Sequence, residues 1–234
     1  MGNEARCLGL IGGLGPGATV HYYRELIAAL EKQDRVPRML IAHADYQHVY
    51  ATVTAKDFNG LARYFAGLIA SMAAGGAELS AIVAATPHIC AAQLTAISPL
   101  PFVNMLTEVP QAVRARGLKR VALLGTRFTI ETRMFGCLDG IDTVMPDAGE
   151  IDTIHRLYTD FVTGRGSDAQ REELRKLAQN IRCAGSRRGR ADRRDRSRNG
   201  IHGEQCRLSD DRLRARPHRR DRTAIARLSV FGRN

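Results

Sequence analysis

The sequence predicts an α/β protein built on parallel β-sheet, and three observations carry that expectation. Apolar runs of strand length alternate along the chain with longer segments whose apolar residues recur at helical spacing. The runs are apolar at nearly every position, as strands covered on both faces are. Glycine- and threonine-bearing turns follow the runs, which puts polar groups at the carboxyl ends of strands, where sheets of this kind bind ligands.

Taken in order, residues 8–13 (LGLIGG) read as a short buried strand, and residues 18–33 as a helix with Tyr23, Leu26, Ile27 and Leu30 on one face. RMLIAHAD (38–45) is a second strand. Residues 57–76 form a helix with Leu61, Tyr64, Phe65, Leu68, Ile69 and Met72 inward, stopped at Gly75-Gly76. LSAIVAA (79–85) is a third strand, with a short helix after Pro87. LPFVNM (100–105) is a fourth, and EVPQAVRARGL (108–118) is a helix with proline in its first turn. The pattern then restarts with KRVALLGT (119–126) as a strand. IDTVMP (141–146) is another, and residues 150–162 are a helix with Ile151, Ile154, Leu157, Tyr158 and Phe161 on one side. SDAQREELRKLAQNIR (167–182) is a helix that Ser167 can cap, with Leu174, Leu177 and Ile181 facing in.

Gly9–Tyr23 and Ala122–Phe135 share an order of strand, glycine, polar turn, threonine and aromatic residue. A duplicated half would set two strand-end loops face to face with a site between them. Any two βα units also share this much, so the echo leaves both readings open.

An α/β rhythm requires another apolar strand soon after residue 182. From Arg182 to Arg222 the only large aliphatics are Ile201, Leu208 and Leu213. The stretch has a period of neither 2 nor 3.6, and too little apolar area to offset its ordering entropy. The charge sits here as well. The chain holds 35 Lys+Arg and 24 Asp+Glu, and residues 182–234 hold 17 Arg, no Lys and 6 acids. Subtracting these leaves 18 bases and 18 acids for residues 1–181, so the whole net charge of +11 belongs to the tail. Three readings compete. A nucleic-acid-binding arm would be expected to carry Lys and stacking aromatics, and none of either occurs before Phe231. A solvated tail is the second. The third is translation out of frame, since a slip in a G+C-rich gene turns alanine and aspartate codons into arginine codons. It alone accounts for both the Arg-without-Lys bias and the break in mid-fold, and reading the gene in its other frames after codon 183 tests it. Nucleic acid is therefore not an expected partner.

No run approaches the about 18 apolar residues of a membrane span, so no membrane partner is expected. The start, with an acidic residue and a glycine-broken apolar run, argues for the cytoplasm. Cys7, Cys90, Cys137, Cys183 and Cys206 are scattered and form no CxxC, which fits reduced thiols and no metal site.

Several segments carry groups able to do chemistry. GGLGPGA (Gly12–Ala18) follows a strand and opens a helix. Gly13, Gly15 and Ala18 fit G-x-G-x-x-A, with Asp45 as a candidate ribose ligand, although Pro16 interrupts the turn and Asp45 comes late. The broader reading is an anion held by N–H groups at a helix start, set against a tight glycine turn with no ligand. ATPH offers the Thr86 hydroxyl and the His88 imidazole at a strand end, set against a routine helix start capped by Thr86. GTRFT offers Thr126 and Thr129 on the same terms. Cys90 reads as packing. His155 and Tyr158 lie three apart on one helical face, with Tyr158 as core carrying its hydroxyl at the edge.

LGLIGGLGPGAT with the tyrosine pair after it, TPH, RVALLGTRFTIET and MPDAGEIDTIHRLY stand in order over residues 7–182, and together they resemble the aspartate/glutamate racemase family. The resemblance implies two similar parallel-sheet α/β lobes related by a pseudo-twofold axis. It implies interconversion of L- and D-amino acids with no pyridoxal phosphate, metal or other cofactor. Two residues, usually cysteines, flank the α-carbon, one removing the proton and the other returning one. The implied ligand is a small amino acid, expected to be acidic, held by Gly13, Gly15, Thr86, His88, Thr126 and Thr129. A homodimer is compatible with the resemblance. The chain departs from the pattern at both reactive positions. Ala84 stands where the first cysteine is expected and Ala85 where asparagine is expected, while Thr86 and His88 match. The second motif should follow LAQNIR, and Cys183 and Cys206 lack its flanking glycine and threonine, so neither base can be named. The expected organisation is a first lobe over 1–105, an incomplete second lobe over 106–182, and an aberrant Arg-rich tail over 183–234 that leaves the fold disrupted at its C-terminal part. The alternatives are a non-catalytic binder of carboxylates or amino acids on the same fold, or an NAD-binding enzyme.

Overall fold

The structure, a computed structural model, describes residues 5–163, 165–194 and 223–226. Its first sheet comprises β1 (Leu8–Gly12), β2 (Met39–His43), β3 (Leu79–Ile82) and β4 (Phe102–Val103) in the order β2-β1-β3-β4. Its second comprises β5 (Arg120–Leu123), β6 (Asp142–Val144) and β7 (Thr223–Ala226) in the order β6-β5-β7. Every pairing in both sheets is parallel. The predicted α/β class with parallel sheets is what the chain adopts. The helices are α1 (Pro16–Glu31), α2 (Tyr46–Thr54), α3 (Phe58–Ala74), α4 (Ala91–Ile97), α5 (Met105–Ala115), α6 (Arg127–Glu131), α7 (Ala148–Val162) and α8 (Asp168–Arg194), and a 3₁₀ turn spans Thr86–Cys90.

The first sheet is covered unequally. On one face α3 buries Leu61, Ala62, Phe65, Ile69 and Met72, spaced as one helical stripe, against Ile11 and Ile82. Each large aliphatic or aromatic side chain so buried contributes about 1.5–3 kcal/mol. Asp57 starts α3 by accepting from the Gly60 N–H at 2.8 Å. The helix α1, which lies against β1 and against α7 of the second lobe, buries no residue fully. Of the predicted inward face of α1, Leu26, Ile27 and Leu30 are half-buried, whereas Tyr23 is 43% exposed and is corrected here. Ile41 on β2, at the sheet's edge, is 48% exposed.

The second sheet is covered on both faces. Ala122 of β5 packs with Ile130, Val144, Ile154, Leu157 and Leu174, while its neighbours Val121 and Leu123 pack with Val113, Met134 and Leu138. That is the two-residue alternation of a strand buried on both sides. Asp147 and Glu150 form a reciprocal capping box at the start of α7. Ser167 caps α8 as predicted, its Oγ accepting from the Gln170 N–H at 3.3 Å.

One helix was not foreseen: in α2 the run YQHVYATVT is poor in strong helix formers, and the Asp45 cap supplies the start. The short α6, five residues long, begins at Thr126, as the helix-start reading of GTRFT allowed. Helix α5 begins earlier than predicted, at Met105, because Asn104 caps it by accepting from the Leu106 N–H at 3.0 Å. Pro110 therefore lies inside the helix and not in its first turn. In the Arg-rich segment the backbone continues α8 to Arg194, where arginine and alanine are adequate helix formers. Thr223–Ala226, a short run beyond the aliphatic-poor stretch, aligns with Arg120–Leu123 as β7. The readings of residues 195–222 and 227–234 as an out-of-frame or unstructured tail lie outside the described residues. Among the described residues no helix is long and apolar enough to cross a membrane.

Candidate active site

Strand ends of both sheets converge on one cavity. The first lobe contributes Ala18 and Tyr22, one turn apart on α1, and Val83, Ala84 and Ala85 after β3. Met105, the first residue of α5, also lines the cavity. The second lobe contributes Leu124, Gly125 and Thr126 after β5, Thr129 on α6 and Tyr158 on α7. About 370 Å³ of space lies between them, its open mouth included.

The second-lobe wall is built around two threonines. Thr126 caps α6, and its Oγ1 accepts from the Thr129 N–H at 3.2 Å. The two hydroxyls lie 2.8 Å apart, so one donates to the other and a single hydroxyl hydrogen is left for a ligand. Arg127 ties this corner to α7. Its N–H donates to His155 Nδ1 at 3.3 Å, and its guanidinium pairs with Glu131 at 3.0 Å and with Asp152. The His155 noted in the sequence thus supports the corner and does not line the cavity.

The first-lobe wall is different. Ala84 and Ala85 line the cavity and carry no polar side-chain group. Ala85, not Thr86, takes the N-cap position of the 3₁₀ turn, because Thr86 and Pro87 are already inside it. Neither Thr86 nor His88 lines the cavity. His88 is buried behind it, with Nδ1 2.8 Å from the Ala84 carbonyl and its ring stacked on Phe102 at 5.4 Å. Its Nε2 has no hydrogen-bond partner among the described residues. Burial lowers the His88 pKa to about 4, against the opposing pull of the carbonyls of Ala84, Ala85 and Val103, so the ring is neutral at pH 7. Cys90 is buried, its thiol donating to the Pro87 carbonyl at 3.2 Å, and burial pushes it up to about 11. Such a thiol is inert.

The glycine loop has a packing explanation. Gly13 sits at φ 86°, and a Cβ there would lie 2.6 Å from the Ala44 carbonyl oxygen. Its N–H donates to Thr19 Oγ1 at 3.2 Å. Neither Gly13 nor Gly15 lines the cavity, although Ala18 in the first turn of α1 does. The Asp45 carboxylate accepts from the Gln47 and His48 N–H groups as the cap of α2, so it is committed to that helix and not set for a ribose. Among the described residues no three His, Cys, Asp or Glu side chains group as a metal site would require.

Of the sequence-predicted ligands, Thr126 and Thr129 come together at the cavity, while Gly13, Gly15, Thr86 and His88 lie beside or behind it. Tyr22 was missed. The spacing had favoured Tyr23, yet the signal was present, since Tyr22 is four residues from Ala18 and so on the same helical face. Burial raises the phenol pKa of Tyr22. Burial, with added repulsion from Tyr22 and Tyr46, pushes Tyr158 up to about 12. Both phenols therefore stay protonated at pH 7.

The Asp/Glu/hydantoin racemase family profile matches residues 11–187. An Asp/Glu racemase candidate from Yersinia pestis superimposes with a TM-score of 0.65 at 23% identity, over 77% of this chain and 82% of that one. An aspartate racemase homologue from Pyrococcus horikoshii OT3 does so with a TM-score of 0.64 at 22% identity, over 77% and 81%. The aspartate racemase of Picrophilus torridus gives 0.59 at 22% identity, over 76% and 77%. At these identities the likeness to solved structures concerns the fold.

Proposed function

The chain belongs to the Asp/Glu/hydantoin racemase family, and on that premise we propose that its inter-lobe cleft binds a small amino acid but cannot remove the α-proton from the face that Ala84 occupies. The α-proton of an amino acid is a very weak acid. Its removal needs a base poised at the carbon and donors that stabilise the developing negative charge. The family resemblance assigns the first base to the position of Ala84, and a methyl group cannot take a proton. No other lining residue replaces it, for among the described residues the lining holds no Cys, His, Asp, Glu or Lys. The phenols of Tyr22 and Tyr158 are poor bases as well. With Tyr158 at about 12, roughly one molecule in 10⁵ carries a phenolate at pH 7. The second motif is expected just after LAQNIR, where the backbone continues as α8 to Arg194, so no second base is named.

What the cleft retains is binding chemistry. The Thr126–Thr129 pair leaves one free hydroxyl hydrogen, two tyrosines with neutral phenols are among the lining residues, and the first turn of α1 reaches the cavity at Ala18. The observation that carries the reading is Ala84 on the cavity wall at the place of the expected thiol. Aspartate and glutamate, named in the family's description, are the first substrates to assay. Incubated with either in deuterated water, the chain should leave the α-proton signal at the rate of the blank, as followed by proton NMR. Enzyme-like exchange by the unmodified chain would refute the reading.

A further inference from the structure

On α7, His155 stands three residues from Asp152 and three from Tyr158, so each pair occupies adjacent positions on the helix surface. Tyr158 lines the cleft, whereas Asp152 and His155 both hold Arg127, the first residue of α6. We infer that His155 is a positioning residue of the cleft, and that it works as an acceptor at Nδ1 with its ring proton on Nε2. The inference rests on the proposal that the cleft binds a small amino acid, and names a residue outside the lining on which that binding depends.

A backbone N–H can only donate, so the His155 nitrogen 3.3 Å from the Arg127 N–H must offer a lone pair. In a neutral imidazole that leaves the proton on Nε2, and an imidazolium offers no acceptor at all. The first N–H groups of a helix have no partner inside it. At the start of α6, Thr126 Oγ1 takes the Thr129 N–H and His155 takes that of Arg127. The Arg127 guanidinium then pairs with Asp152, and with Glu131 at 3.0 Å. The ion pairs act on a long side chain, whereas the His155 bond acts on the backbone that carries both threonines. Thr126 and Thr129 stand on either side of Arg127, both line the cleft, and their hydroxyls lie 2.8 Å apart. Fastening Arg127 to α7 therefore sets the hydroxyl pair relative to Tyr158, and a ligand that spans the two needs both in place.

Two variants of the full chain test this. His155→Asn keeps a carboxamide oxygen near the place of Nδ1, and His155→Leu fills similar space with no acceptor. In the ligand-free chain, nitrogen-15 spectra should show Nδ1 of His155 as the unprotonated nitrogen. The Arg127 and Thr129 amides should exchange with heavy water about fivefold faster in His155→Leu, and at near-native rates in His155→Asn. Calorimetric titration with aspartate and with glutamate should show about fivefold weaker binding in His155→Leu, largely recovered in His155→Asn. A proton on Nδ1, native exchange or native affinity in the leucine variant, or an asparagine variant as impaired as the leucine one would overturn the inference and leave the cleft-binding proposal standing. If the unmodified chain binds neither amino acid, the cleft-binding proposal fails, and the ring spectra and amide exchange still decide whether His155 holds the corner.

Discussion

The turn after β3 and the turn after β5 both face the same cleft, and they are built in opposite ways. After β5, Thr126 caps α6 and shares its hydroxyl with Thr129, and α7 holds the corner through His155 and Asp152. After β3, Ala84 and Ala85 carry no polar side-chain group, the 3₁₀ turn starts without a side-chain cap, and the His88 imidazole is buried. The difference separates fold from chemistry. Ala84 only packs at the margin of the α3 core, whose fully buried members are other residues, so a reactive group can vanish from the strand end while that core persists.

The sharpest way to break the contrast is to put a thiol back. Ala84→Cys should raise deuterium exchange at the α-carbon of a bound amino acid by about 10²–10⁴-fold over the unmodified chain. Exchange without inversion would mean that one face alone was restored, and chiral chromatography of the recovered amino acid distinguishes this. The next largest effect concerns His88. Its folded pKa, about 4, lies below the unfolded value near 6.5. On acidification the unfolded chain therefore takes up the proton first. The stability His88 contributes is complete above pH 6.5 and is lost as pH falls to about 4, a change of about 3 kcal/mol. Denaturant melts across that range should show the slope, and His88→Leu should flatten it. Smaller again is the cap. Thr126→Ala should cost about 1 kcal/mol in the same melts, since Thr126 satisfies the Thr129 N–H. Thr86→Ala, at a threonine that caps nothing, should stay within about 0.5 kcal/mol. Equal costs for the two threonines would erase the contrast.

Much of this arrangement was legible in the residues. Strand cores and the α3 stripe follow directly from apolar spacing, and the Thr126 corner from its resemblance to a helix start. Three things were not. Asp45 looked like a ligand because its cap role depends on α2, a helix whose sequence has little intrinsic helicity. Thr86 looked like a cap because a sequence does not say whether Thr-Pro stands before a turn or within it. Tyr23 was preferred to Tyr22 because helical periodicity identifies a face but not which neighbour covers it. Here the neighbour of α1 is α7 of the other lobe, and that contact is a property of tertiary structure alone.

That placement of α1 bears on how the protein comes apart. A helix with no fully buried residue has little to lose by opening, whereas α3 beneath the same sheet is anchored by Leu61, Phe65 and Ile69. Backbone amides of α1 should therefore exchange with heavy water well ahead of those in α3. Since α1 carries Ala18 and Tyr22 to the cavity, mild denaturant should open that cavity while the first sheet still holds its core.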